Sequence, residues 1–95
     1  MLAITESAAQ AIRAIVVSSE EFPEEGGLRI VARSEGDRQK LELMIAAIAA
    51  EDDEVVEEHG AHVFLDPGAA SYLEDKVLDA RVEGQQVGFA LLEQE

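Results

Sequence analysis

Apolar residues recur at every second position in four stretches of this chain: Leu28, Ile30 and Ala32; Leu41, Leu43 and Ile45; Leu78, Ala80 and Val82; Val87, Phe89 and Leu91. Side chains alternate across a strand, so this period predicts segments with one face buried and the other in water. Arg29, Val31 and Arg33 fill the gaps in the first stretch, Glu42 and Met44 in the second, and Asp79 and Arg81 in the third. Turn signals separate neighbours at Glu35-Gly36-Asp37 and Gly84-Gln85-Gln86. Val55-Val56 and Ala61 to Leu65 read as two shorter strands joined across His59-Gly60. From Lys40 to Ala50 the pattern is ambiguous, because its alanine-rich composition suits a helix as well.

Two helices interrupt the strands. Thr5 is a good N-cap, Glu6 places an anion in the first turn, and Ala8, Ile12, Ile15 and Val16 form one stripe at helical spacing. Ser18 and Ser19 weaken that helix, and Phe22-Pro23 with Gly26-Gly27 makes a connector. Asp66-Pro67 supplies a second N-cap and a proline at the first helical position. Ala69, Tyr72 and Leu73 are the expected buried face of that helix, with Ser71 turned to solvent. Few helices among many short strands predict an α+β fold of mixed and antiparallel strands with two short helices. Ninety-five residues make one domain, 1–95, with no repeat and no second linker.

Composition narrows the functional classes. Hydrophobic residues make up 47% of the chain, too many for a disordered tail of similar charge. The start has no basic region followed by an apolar one, so no secretory signal is expected. The longest uncharged apolar run, Leu43 to Ala50, is eight residues, against roughly 20 for a membrane span. A cytoplasmic location is the expectation. Without cysteine there is neither disulfide nor thiolate chemistry. A net charge of −14 repels phosphate backbones and anionic lipid, which argues against nucleic-acid and membrane partners.

That charge is uneven. Residues 28–40 hold Arg29, Arg33, Arg38 and Lys40 against Glu35 and Asp37, a local +2, while the remainder sums to −16. Two readings follow: a solvated acidic surface with one internally paired basic hairpin, or four cations that present together to a protein partner or a second copy in a homodimer. A face near Met44 and Phe64, or a free strand edge, is a further candidate for self-association.

Candidate chemistry is sparse. Glu57, Glu58, His59 and His62 put two carboxylates and two imidazoles within six residues, a set that could hold iron or zinc only if the ligands converge. On a tight hairpin His59 belongs to the turn and His62 to the polar face, so two exposed histidines are the expectation. Glu51-Asp-Asp-Glu54 lacks the glycine and fixed ligand positions of a calcium loop and reads as a solvated acidic loop. The chain has no phosphate-cradling glycine loop, no His-Glu-x-x-His and no nucleophile elbow. Tyr72 and Phe89 follow the apolar periodicity and are expected in the core. No catalytic residue, cofactor or enzyme activity is expected.

Several strings, in order, resemble the HesB/IscA-like A-type carriers of iron–sulfur cluster biogenesis. They are Ile4-Thr-Glu-Ser-Ala-Ala9, Gly27-Leu-Arg-Ile-Val31, Ala50-Glu-Asp-Asp-Glu-Val55 with Gly60, Val63-Phe-Leu-Asp-Pro67, Tyr72-Leu73, Leu78-Asp79 and Gly88-Phe89. The resemblance implies a HesB-like small domain and a strand at Leu41 to Ile45. It also implies three cysteine ligands, one in the loop after the first long strand and two in a Cys-Gly-Cys near the C-terminus. Here that loop is Ser34-Glu-Gly-Asp-Arg-Gln-Lys40, the first cysteine would fall near Gly36, and the tail ends at Gln94-Glu95. Clusters need soft thiolates, occasionally imidazole. The expectation is therefore a family scaffold without cluster ligation, serving as an interaction module linked to iron–sulfur assembly. The alternative is a protein that binds iron or zinc through His59, His62 and nearby carboxylates.

Overall fold

Helix α1 (Glu6–Ser18) starts at Thr5, whose Oγ1 accepts the Ala8 N–H at 3.1 Å, the N-cap bond the sequence predicts. The same hydroxyl donates to Asp79 Oδ1 at 2.7 Å, and the Thr5 N–H donates to the Leu78 carbonyl. One residue thus ends β1 (Ala3–Ile4), opens α1 and ties both to β6 (Lys76–Glu83), with which β1 pairs in parallel. The computed structural model describes residues 2–18, 26–84 and 86–94. Ser19, the acidic stretch 20–25 with its Phe22-Pro23 connector, and Gln85 lie outside the described residues.

After that connector come β2 (Gly27–Glu35), β3 (Arg38–Ala46), β4 (Glu54–Glu58) and β5 (Ala61–Leu65). These four form one sheet in the order β3-β2-β5-β4, parallel only between β2 and β5. Gly36 at φ 59° turns the β2–β3 hairpin, while His59 at φ 53° and Gly60 at φ 81° turn β4 into β5. The ambiguous stretch is strand through Ala46, since its backbone pairs residue for residue with β2. Helix α2 (Pro67–Tyr72) follows the Asp66 N-cap, whose Oδ1 accepts the Ala69 N–H at 2.7 Å. Strands β6 and β7 (Gln86–Glu93) close a second sheet, ordered β1-β6-β7.

The core lies between the sheets and α1, which packs on β6, β5 and β2. Leu2, Ile12, Ile30, Leu65, Leu73, Leu78, Val56 and Val63 are its largest fully buried side chains. Several expected core positions differ: Leu43, Val87 and Leu91, on the edge strands β3 and β7, are exposed, and Phe89 is only partly buried. Tyr72 is 46% exposed, because at 3.6 residues per turn Ala69 and Leu73 share the inward face of a helix under two turns long and Tyr72 falls to one side. Val82 is exposed, paired with Val87 next to the hairpin turn, and Ile15 is only half-buried on α1.

Candidate functional site

The ladder pairings place the sequence-predicted cations on one face of the four-stranded sheet. Directly opposite residues share a face, so Arg29, Arg33 and Glu35 of β2 lie with Met44, Lys40 and Arg38 of β3. Phe64 and His62 of β5 and Val55 and Glu57 of β4 extend that face. Leu28, Ile30, Val63 and Leu65 occupy the other, core-directed face.

The four basic residues share this face but not the same freedom. Arg29 is committed: its Nε and Nη2 donate to the two carboxylate oxygens of Asp53 at 2.9 and 3.0 Å. The Asp53 side chain is 1% exposed and also accepts the Ala50 N–H at 2.8 Å. The Arg29 hydrogen bonds, helped by that of Ala50, outweigh burial and hold the Asp53 carboxyl below its ordinary range, while the Arg29 pKa is raised in return. Asp53 was expected in a solvated loop; no local signal marks a partner 24 residues away that only the fold brings close. Arg33 Nε pairs with Glu42 Oε2 at 2.9 Å and stays largely exposed. Arg38 and Lys40 are exposed, Arg38 opposite Glu35 and Lys40 opposite Arg33. A Cβ built on Gly36 meets no atom within 4 Å, so the hairpin tip stands clear of the body. The position where the resemblance puts a cysteine is thus an open turn flanked by Glu35 and Asp37, with Arg33, Arg38 and Lys40 beyond them.

The histidine cluster divides between the two faces. His59 is exposed in the turn. His62 is mostly buried rather than exposed as expected: its ring lies against Phe64 with centroids 6.4 Å apart, its Nε2 is 3.2 Å from Glu57 Oε2, and its Nδ1 is buried without a partner. Glu58, next to Glu57 on the strand, faces the other way and accepts the Ile4 N–H at 3.3 Å. Among the described residues no group of three or more His, Asp or Glu side chains is placed to hold a metal ion. Phe64 is 3% exposed, so of the Met44–Phe64 face only Met44 is open. No described helix is long and apolar enough to cross a membrane.

Sequence reasoning left a second feature unassigned. An apolar cleft of about 170 Å³ lies between the two sheets, lined by Ile30, Leu41, Leu43, Leu78, Phe89 and Leu91. Leu41 and Leu43 belong to β3, Phe89 and Leu91 to β7, and both strands are sheet edges. The alternating pattern showed these residues but could not show that their strands lack outer neighbours among the described residues.

Two solved structures share this architecture. One is Escherichia coli SufA, described as involved in biosynthesis of iron–sulfur clusters; it is 25% identical, with 97% of this chain and 79% of that chain covered at a TM-score of 0.81. The other is IscA with a [2Fe-2S] cluster, 19% identical, with 98% of this chain and 85% of that chain covered at a TM-score of 0.75. No family model matches the chain, and no curated protein matches it in sequence.

Proposed function

We propose, from the HesB/IscA-like fold of this chain, that it is a non-catalytic, cluster-free counterpart of the iron–sulfur carriers, working through protein contacts in the cytoplasm. One observation carries this reading: a scaffold like that of SufA contains no cysteine among its 95 residues. Iron–sulfur clusters require soft thiolate ligands, and the hairpin tip supplies only Glu35, Gly36, Asp37 and the cations beyond them. The contact surface in this reading is the β2–β3 hairpin, with Arg38 and Lys40 as its free cations and Arg33 beside them. The link to iron–sulfur assembly rests on the likeness to SufA and IscA.

Charge reversal at the free cations tests the surface. Arg38→Glu with Lys40→Glu should weaken association with whatever the wild-type protein binds, a second copy included, in a salt-dependent way. Thermal stability should barely change, because neither side chain makes an ion pair within the described chain. A lowered melting temperature with association intact would assign the cations to internal pairing and remove the hairpin from the reading.

A further inference from the structure

We infer that the hairpin's partner is a second copy of this chain, joined through the free edge of β3 in one antiparallel register centred on Leu41. The inference rests on the hairpin reading above and names its occupant.

Backbone direction comes first. The Ala32 N–H donates to Asp66 Oδ1, and the Ile30 carbonyl accepts the Asp66 N–H, so both residues direct their backbone away from β3. Hydrogen-bonding direction alternates along a strand, so Arg29, Val31 and Arg33 answer β3 through Met44, Glu42 and Lys40. The backbone groups of residues 39, 41, 43 and 45 are then left pointing outward from the edge of the sheet. The same edge carries Leu41 and Leu43, the latter 43% exposed, on the side of the apolar cleft. A nine-residue edge that is unpaired among the described residues, with Leu43 exposed and Leu41 partly so, is a template for strand addition.

Charge selects the register. A two-fold centred on Leu41 sets Lys40 opposite Glu42 of the other copy, twice over, and Arg38 opposite Met44. Shifting the centre to Lys40 or Glu42 sets like charges against each other, and shifting it to Leu43 leaves Lys40 without a carboxylate opposite. The chosen pairing extends the existing Arg33–Glu42 contact into a three-residue chain across the seam. Among the described residues the other edges are poorer. Glu54, Glu57 and Glu58 make β4 self-repelling, β1 has two residues, and β7 has Glu93 as its sole charge, so nothing there fixes a register. In the dimer Leu41 meets Leu41 of the second copy, and the two clefts join into one apolar interior.

Because the chain has no cysteine, one engineered thiol is a clean reporter. A hydrogen-bonded antiparallel pair has Cα atoms about 5.5 Å apart, within disulfide range. Oxidised Leu41→Cys should collect as a disulfide dimer. Gln39→Cys and Leu43→Cys should each stay uncrosslinked alone but crosslink when mixed. In sedimentation, Lys40→Glu should raise the dimer dissociation constant about tenfold or more, and Lys40→Glu with Glu42→Lys should restore it. Crosslinking of Leu91→Cys on β7 in place of Leu41→Cys would overturn the inference, as would identical sedimentation of wild type and Lys40→Glu. If Leu41→Cys stays monomeric while Arg38→Glu with Lys40→Glu still loses a different protein, self-pairing falls and the hairpin reading survives.

Discussion

Asp53 accepts three hydrogen bonds, a two-point bond from Arg29 and a backbone N–H from Ala50, with 1% of its side chain in solvent. Its folded pKa lies below its unfolded value, as does that of Asp79, held chiefly by the Thr5 hydroxyl. Groups shifted this way contribute stability that is full above the unfolded carboxyl range, near pH ~4, and is lost as pH falls through the folded value. Asp53→Asn should therefore lower the melting temperature at neutral pH and flatten the acid limb of stability against pH relative to wild type. Parallel acid limbs in the two proteins would refute the assignment. Thr5 and Asp66 were readable as caps because a cap acts within three residues. The Arg29–Asp53 pair was not, since it needs β2 and the loop before β4 brought together. The same limit explains His62, whose burial against Phe64 depends on what covers that face.

At the scale of elements, local chemistry located starts and turns, and pairing decided the rest. Gly36, Gly60 and Gly84 all stand at positive φ where turns were expected. β3 illustrates the other case: propensity leaned to helix, and nine register pairs with β2 hold it extended. α2 is short enough that its cap carries much of its definition. Asp66 Oδ1 accepts both the Ala69 N–H and, at 3.3 Å, the Ala32 N–H, fastening the helix start to β2. Asp66→Ala should destabilise the protein by about 1–2 kcal/mol in urea unfolding, and Asp66→Asn by less. Equal losses for both variants would mean that capping is not what Asp66 contributes. Tyr72 was misplaced by the same brevity, because periodicity read over one and a half turns does not fix which flank is covered.

Over the whole molecule, −14 charges on 95 residues dominate the electrostatics. Asp53, Glu42, Glu57, Asp75 and Glu93 lie within ion-pair distance of a cation or an imidazole. With 21 acidic against 7 basic side chains in the sequence, carboxylates outnumber the cations available to pair with them and repel one another across a small surface. Raising salt from about 0.01 M to about 0.15 M shortens the screening length from ~30 to ~8 Å, and the melting temperature should rise by a few degrees. A fall would mean that attractive surface pairs outweigh the repulsion. The order of elements and the HesB/IscA-like fold were legible along nearly the whole chain, since alternation, caps and glycine turns all act locally. The proposed contact surface was legible only as a charge bias, because which cations are left unpaired among the described residues depends on the pairing of β2 with β3 and with the loop that carries Asp53.

Cluster reconstitution is the most direct test, because the account separates a carrier-like scaffold from the ligands a carrier needs. Protein incubated anaerobically with ferrous iron and sulfide, then desalted, should show no visible absorption beyond a cluster-free control protein and no retained labile sulfide. Stoichiometric labile sulfide with a visible chromophore that survives desalting would contradict it, and would mean that this chain holds a cluster without a single thiolate of its own.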